Sequence, residues 1–247
     1  MLSAFGTDNP TLSLVQVATL AEMDKSAAQR FTHTLERLGY LHKDPQTKRY
    51  VLTPRSLDLG YHYIRAHALS ERAMPYLLEL SRTTEESVSL TVLDGAEVVY
   101  VVRFTSRYMV SSNVIVGTRL PAYCTAPGIA MLSRLPPAEA HDILRRSELR
   151  AYTPATTWRM LELIAKLETT ASRGFATAIE EIFTGDISLA AAITGVRGGP
   201  VAAVSLSVSR VRMSPEQAEQ EFAPLVTATA QALSLHVLPT ADGPRWS

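Results

Sequence analysis

Polar side chains in the segment MDKSAAQRFTHTLERLGYL, residues 23–41, are of the types that bind nucleic acids. An arginine can donate two hydrogen bonds to guanine, and a glutamine can pair in the same bidentate way with adenine. A lysine or serine at the start of a helix is well placed to hold a phosphate group. The residue types therefore indicate contacts with DNA phosphates and base edges. The candidates are Lys25, Ser26, Gln29, Arg30 and His33.

An apolar repeat decides which way these side chains would point. Ala28, Phe31, Leu35 and Leu38 recur at i, i+3, i+7 and i+10, which is the spacing of one helix face. Gly39 is typical of the residue that follows the end of a helix. The spacing predicts a helix that buries this stripe and turns outward the positions 26, 29, 30, 33 and 37.

The segments around this helix complete the pattern of a DNA-binding domain. TLSLVQVATLAEM before it has helical spacing with Ser13 as N-cap, and Asp44-Pro45 after it favours a turn between two short strands. Lys48 and Arg49 at the hairpin tip would contact the DNA backbone or the minor groove. Many surface helices carry Lys, Gln and Arg without a ligand, so no single residue is decisive. The ordered combination predicts a winged helix-turn-helix.

The remainder of the chain indicates a mixed helix and sheet domain. SVSLTVLDGAEVVYVVRF contains two strands joined at Asp94-Gly95, a strong hairpin signal, and a third strand is expected over YMVSSNVIVG. Two more strands are expected in ISLAAAITGV and VAAVSLSVSR. Because strands and helices are grouped rather than alternating, we expect an α+β fold with an antiparallel sheet. Helices are expected over 54–69, 70–81, 127–134, 137–146, 157–172 and from about 215 to 237.

Composition and charge restrict how the chain could bind DNA. The 247 residues carry a net charge of zero, with 8 Lys/Arg against 6 Asp/Glu in residues 1–65 and 16 against 18 in residues 66–247. Binding must therefore rest on a few local cations and on more than one copy of the chain. One cysteine excludes an intramolecular disulfide. We find neither a signal peptide nor an apolar run of membrane-spanning length, and we expect a cytoplasmic protein.

Signatures of catalysis are missing from the sequence. The six histidines show neither HExxH nor paired metal-ligand spacing, and there is no GxSxG, P-loop or GxGxxG pattern. Cys124 has no histidine nearby and is expected to be a small buried residue. Glu180 and Glu181, as neighbours in a strand, would face opposite sides and share no site. We expect that the protein is not an enzyme and that it has no metal site and no cofactor.

Residues 13–52 resemble the winged helix-turn-helix of IclR-type bacterial transcription regulators, and the resemblance continues along the chain. LTPRSLDLGYHYI resembles the linker helix of the family, and SVSLTVLDGAEVVYVVRF the first hairpin of its effector-binding domain. The pocket segment of the family resembles VGTRLPAYCTAPGIAMLSRLP. Its later strands resemble RGFATAIEEIFTGDISLAAAI and VAAVSLSVS. VGTRLPAY and the serine in DISLAAAI are most similar to the branch that regulates breakdown of aromatic acids through the β-ketoadipate route.

The resemblance implies a regulator that binds double-stranded operator DNA as a homodimer or tetramer. A GAF-like C-terminal domain would bind a small organic acid, such as protocatechuate or 4-hydroxybenzoate, and change the affinity for DNA. The implied domains are a winged helix-turn-helix over 1–53, a linker helix over 54–69, the effector domain over 70–237 and a loose tail over 238–247.

The segments that resemble the family's pocket supply candidate effector contacts. Hydroxyl and backbone donors would hold the acid, and a carboxylate buried without a cation is costly. Of Ser205 and Ser207, strand phase would decide which points inward, and Ser207 is preferred. The serines could also be ordinary sheet residues. The candidates are Thr125, Ala126, Ser188 and Ser207, with Arg103, Arg107 and Arg119 as cations.

Two features depart from the family pattern. Met1 falls within a helix that usually packs under the helix-turn-helix, since LSAFG resembles only its last turn. A start further upstream or a shortened domain is expected, and the alternative function is a small-molecule sensor that no longer binds DNA by itself. In the pocket segment, Pro127 removes a backbone N–H, and no lysine follows Gly128.

Overall fold

The computed structural model describes residues 1–6, 8–66, 68–108 and 114–234. The backbone forms two compact units, residues 1–66 and the residues from 67 onward, and each is described by itself. No helix in the described ranges is long and apolar enough to cross a membrane.

The first unit has the predicted order of two helices and a hairpin. Ser13 caps α1 by accepting from the Gln16 N–H at 3.3 Å, and the Gln16 side chain accepts from the Ser13 N–H at 3.0 Å. Asp24 caps α2 through the Ala27 N–H at 2.8 Å. After a single 3₁₀ turn at Leu2–Ala4, the elements are α1 (Leu14–Leu20), α2 (Lys25–Arg37), β1 (Leu41–Lys43), β2 (Tyr50–Leu52) and α3 (Ser56–Ala66).

The buried stripe of α2 differs from the prediction. Ala28 is buried and Leu35 partly so, but Phe31 and Leu38 are 55 % and 49 % exposed. Thr32 is buried instead, and its hydroxyl donates to the Ala28 carbonyl at 2.8 Å, which satisfies the polar atom. The unit is small, and its core lies on the Thr32 side of the helix, so the prediction for Phe31 and Leu38 is wrong. That core consists of Phe5, Leu12, Val17, Leu41 and Tyr50.

The second unit is an antiparallel sheet of six strands in the order β5-β4-β3-β8-β7-β6, with helices on both faces. This confirms the α+β fold with an antiparallel sheet. The strands are β3 (Ser87–Asp94), β4 (Glu97–Phe104), β5 (Arg119–Pro121), β6 (Ala176–Ile179), β7 (Asp186–Thr194) and β8 (Pro200–Ser209). The helices are α4 (Ala68–Thr84), α5 (Ala126–Leu132), α6 (Pro137–Arg146), α7 (Met160–Arg173) and α8 (Pro215–Ser234).

The two faces of this sheet differ in chemistry because side chains alternate along each strand. Val88, Leu206 and Leu189 belong to the core shared with α4 and α8. On the other face, small residues such as Ala178 and Ala190 belong to the core that contains residues of α5, α6 and α7. Serines of three neighbouring strands lie side by side on this second face, with Ser87 opposite Ser207 and Ser207 opposite Ser188.

The turns and loops around the strands follow the predictions in part. The hairpin at Asp94-Gly95 forms as predicted, with Gly95 at φ +62°. The third strand expected over 108–117 falls partly outside the described residues. From Val114 to Gly117 the chain makes a turn, closed by the Thr118 N–H on the Ile115 carbonyl, and the strand begins only at Arg119. The tail expected over 238–247 lies outside the described residues.

Candidate DNA-binding surface and effector cavity

The predicted DNA contacts of α2 lie together on one exposed side of the helix. At about 100° per residue, the five positions span roughly 140° of the helix surface. All five side chains are exposed, and the Asp24 cap fixes where the helix begins. We call these residues and the hairpin residue Lys48 the reading surface. The five are Lys25, Ser26, Gln29, Arg30 and His33.

The hairpin presents one of its two predicted cations and uses the other structurally. Asp44 accepts hydrogen bonds from the Gln46 and Thr47 N–H groups at 2.8 and 2.7 Å, and these bonds lower the pKa of Asp44. The turn leaves Lys48 exposed in a left-handed conformation, φ 58°. Arg49 instead donates from Nε and Nη2 to the hydroxyl and carbonyl of Thr11, at 3.0 and 2.7 Å. No local pattern predicts this contact, which holds the hairpin to the segment before α1.

A cavity lies on the serine-bearing face of the six-stranded sheet, at the start of α5. Five of the seven predicted effector residues line it: Arg103, Thr125, Ala126, Ser188 and Ser207. Its free volume is about 30 Å³, so a ring-sized ligand requires some of the lining side chains to move apart.

The two other predicted cations lie elsewhere. Arg107 is exposed and forms an ion pair with Glu85. Arg119 donates to the carboxylates of Glu97 and Asp94 at 2.7 and 2.6 Å. Neither arginine lines the cavity, and Arg103 is therefore the candidate partner for a carboxylate.

Arg103 is held in the cavity by few contacts. Its Nη1 donates to Ser89 Oγ at 3.0 Å, and its guanidinium lies 5.9 Å from the centre of the Tyr100 ring. Its Nε is buried and has no hydrogen-bond partner. Burial lowers the pKa of Arg103 and raises that of Tyr100 to about 12. The arginine stays a cation at neutral pH because its ordinary pKa is so high.

The hydroxyl groups of the cavity are partly engaged already. Thr125 caps α5, accepting from the Gly128 N–H at 3.3 Å and donating to the Pro121 carbonyl at 3.0 Å. Ser207 donates to Ser188 at 3.2 Å. The expectation that strand phase chooses between Ser205 and Ser207 is wrong, because residues two apart share a face. Ser205 is buried and does not line the cavity.

Two acidic residues that were not predicted, Glu181 and Asp186, also line the cavity. Glu181 is buried, forms an ion pair with Lys166 and accepts from the Thr157 N–H at 3.1 Å. β6 ends at Ile179, so Glu180 and Glu181 are not strand neighbours as expected. Asp186 begins β7, and burial raises its pKa to about 7 against the opposing effect of Arg103. Its position two residues before Ser188 was the signal that could have placed it on this face.

Cys124 also lines the cavity and is buried, as predicted for a small core residue. Burial raises the pKa of its thiol to about 12, with a smaller opposing effect from Tyr123. The thiolate is the nucleophilic form of cysteine, so this side chain is inert at neutral pH.

Comparison with known proteins places both units in one family. Residues 1–45 match the IclR helix-turn-helix domain, and residues 61–235 match the C-terminal domain of bacterial IclR transcriptional regulators. The chain is 30 % identical over 234 residues to the Pca regulon regulatory protein of Pseudomonas putida. The aligned residues cover 94 % of this chain and 80 % of that protein.

Solved structures share the fold. A transcriptional regulator from Rhodococcus sp. RHA1 has a TM-score of 0.80 at 35 % identity, covering 95 % of this chain and 93 % of that one. An IclR homologue from Microbacterium hydrocarbonoxydans, crystallised with 4-hydroxybenzoate, has a TM-score of 0.77 at 21 % identity, covering 95 % and 94 %. The matched relatives are transcriptional regulators and not enzymes. The chain therefore belongs to the IclR family of bacterial transcriptional regulators, with relatives in the aromatic-acid branch that its pocket segment predicts.

Proposed function

We propose that this protein binds operator DNA in the cytoplasm and that a small aromatic acid in the cavity changes its affinity for DNA. Residues 1–53 would bind DNA, 54–69 would form the linker, and 70–237 would bind the effector. The observation that carries the proposal is a half-buried arginine, Arg103, whose Nε is buried and unpaired in a cavity that hydroxyl groups also line. A cation with a few converging donors beside apolar side chains suits a small carboxylate.

Relatives support an aromatic acid as the effector. The Pca regulon regulatory protein is a relative along most of the chain, and 4-hydroxybenzoate is bound in a homologue of the same fold. Protocatechuate and 4-hydroxybenzoate are thus the first compounds to test, with short keto acids as the alternative. A shift in unfolding temperature measures binding, since a ligand that binds only the folded protein stabilises it. Stabilisation by none of the aromatic acids would discredit this part of the proposal.

DNA binding is tested with a labelled fragment from the promoter upstream of the gene for this chain. Binding should prefer that fragment to a scrambled one and should weaken as salt rises, because contacts between cations and phosphates release counterions. No binding at low salt would favour the alternative, a small-molecule sensor without DNA binding.

Two variants of the reading surface should behave differently. Arg30→Ala should lower the affinity for the preferred fragment by about 5-fold to 100-fold and reduce the preference over scrambled DNA. The reason is that contacts with base edges determine which DNA sequence a protein prefers. Lys48→Ala should weaken binding to both fragments alike. It should also reduce by about one the slope of the logarithm of affinity against the logarithm of salt concentration. Arg145→Ala removes an exposed cation from the second unit and is the control. Wild-type binding by both variants would contradict this docking arrangement.

We propose a homodimer as the assembly, with α3 as a contact between copies. Leu57, Tyr61 and Ile64 have the i, i+4, i+7 spacing of one helix face, and Leu57 and Tyr61 are 75 % and 61 % exposed. None of the described residues of α3 is buried. A second copy of the same helix would cover these apolar groups symmetrically.

Tyr61→Asp should shift the mass measured by light scattering from the dimer toward the monomer, because it places a charge in the apolar contact. His62→Asp introduces the same charge at the neighbouring position and should leave the mass unchanged. Equal masses for Tyr61→Asp and wild type over a tenfold dilution would exclude this contact.

A further inference from the structure

Two buried polar atoms of the effector cavity have no hydrogen-bond partner. Within the described part of the chain, Arg103 Nε and Asp186 Oδ1 are the buried side-chain atoms of this kind. An unpaired buried polar atom is unfavourable and calls for a specific explanation. Both residues line the same cavity, so one bound molecule could pair both atoms.

Strand alternation directs Asp186 toward the cavity. Asp186 lies opposite Ser209, and two residues further along Ser188 lies opposite Ser207, so both cavity residues of β7 share a face. Ile187, between them, points into the core on the other side of the sheet. An acid at the inward position of a strand is unfavourable for folding alone, because burial penalises its charged form.

The nearby charges do not neutralise Asp186. Arg210, which follows the strand partner of Asp186, forms an ion pair with Glu180. Lys166 forms an ion pair with Glu181. Among the described residues no ion pair includes Asp186, although Arg103 is close enough to oppose the effect of burial on its pKa. The carboxylate is therefore available to a ligand.

The two unpaired atoms require opposite chemistry from that ligand. Arg103 Nε is a donor and needs an acceptor such as a carboxylate oxygen, whereas Asp186 Oδ1 needs a donor. An unsubstituted carboxylic acid would meet only the first requirement and would leave the Asp186 oxygen buried and unpaired. A hydroxyl group elsewhere on the ring would meet the second.

We propose that Asp186 accepts a hydrogen bond from a hydroxyl group of the effector while Arg103 binds its carboxylate. The cavity then selects hydroxylated aromatic acids over unsubstituted ones. This inference rests on the proposed function, since it specifies the chemical class of effector for the same cavity.

The experiment measures the affinity of the full-length chain for four probes by titration calorimetry. These are 4-hydroxybenzoate, 3-hydroxybenzoate, benzoate and 4-methoxybenzoate, the last of which keeps the ring and an acceptor oxygen but has no donor. At least one hydroxybenzoate should bind the wild type at least about tenfold more tightly than benzoate and the methyl ether, because sites built around a hydroxyl reject analogues that lack it.

Variants then assign this preference to one side chain. Asp186→Leu should bring the ratio of hydroxybenzoate to benzoate affinity close to one, and benzoate should bind at least as tightly as to the wild type. Asp186→Asn keeps the shape of the side chain and should reduce the ratio while the protein stays folded. Glu168→Gln removes one negative charge from an exposed position of α7 and should leave the ratio unchanged.

Each outcome bears on a different statement. Equal affinity of the wild type for hydroxybenzoates and benzoate, or a ratio that survives Asp186→Leu, overturns the role of Asp186 and leaves the proposed aromatic effector intact. Binding of no probe overturns both. A ratio that disappears in Asp186→Leu and persists in Glu168→Gln supports the inference.

Discussion

Gly128→Ala is expected to destabilise the second unit by about 2–4 kcal/mol. A Cβ atom at this position would lie 2.2 Å from the Ala122 carbonyl oxygen and 2.4 Å from the Ala122 Cα. Both are backbone atoms, so the clash is relieved only if α5 or the 3₁₀ turn Ala122–Cys124 moves. Overpacking of a core that cannot yield typically costs 1–3 kcal/mol, and a contact this short belongs at the upper end or beyond.

Urea unfolding followed by circular dichroism measures this loss. Gly199→Ala is the matched control, because a Cβ there meets no atom within 4 Å and its backbone is not left-handed. Since residues on both sides of the contact belong to the cavity wall, Gly128→Ala should also weaken effector binding. A loss of stability below about 0.5 kcal/mol would mean that α5 does not pack on the turn as described.

Asp186→Asn is expected to stabilise the ligand-free protein at pH 8 and to change little at pH 4. The folded protein raises the pKa of Asp186 from 3.8 to about 7. Between these values the folded state holds a proton that the unfolded chain has released, so the free energy of unfolding falls as the pH rises. Asparagine does not titrate. The variant should therefore escape this loss, which we expect to be about 1–3 kcal/mol because the Asp186 residue is only half-buried.

Other ionisable groups at the cavity could also contribute to the pH dependence of the unfolding free energy. They are the Arg103 guanidinium, the Tyr100 hydroxyl, the Cys124 thiol and the Glu181 carboxylate with its Lys166 partner. The pKa values of Tyr100 and Cys124 are raised to about 12, so neither titrates between pH 4 and 8. Unfolding free energies at four pH values, with Glu168→Gln as control, give the slope. A gain that is the same at pH 4 and pH 8 would contradict titration of Asp186 with a raised pKa.

Local signals made the winged helix-turn-helix predictable. Ser13, Asp24 and Asp44 each hydrogen-bond to backbone within three residues, so their sequence neighbours are enough to identify them. The burial of α2 was not predictable in the same way. Phe31 is more apolar than Thr32, yet Thr32 is buried because the position of the core decides the side and its hydroxyl is satisfied within the helix.

The cavity was predicted in part for a similar reason. Inward and outward positions of β7 and β8 follow from alternation, so Ser188, Ser207 and, in retrospect, Asp186 could be placed from sequence. The sequence could not show which of the three arginines lines the cavity, because that depends on which acidic residues lie across the hairpin. Arg119 reaches Asp94 and Glu97 there, and only Arg103 lines the cavity.

A ligand can change DNA affinity only if it binds one conformation of the protein better than another. The free volume of about 30 Å³ means that an aromatic acid must displace lining side chains of the sheet face and α5. Binding of such an acid would therefore change the packing of the cavity, which is the kind of difference that can be coupled to the reading surface. Such coupling usually amounts to about 1–3 kcal/mol, or 5-fold to 150-fold in affinity.

Coupling between the effector cavity and DNA binding is tested by the affinity for the promoter fragment, measured by fluorescence anisotropy with and without saturating 4-hydroxybenzoate. We predict that the acid changes the dissociation constant at least fivefold and that Arg103→Met removes this response. A dissociation constant that stays the same while calorimetry shows the acid bound would contradict the coupling of the two sites.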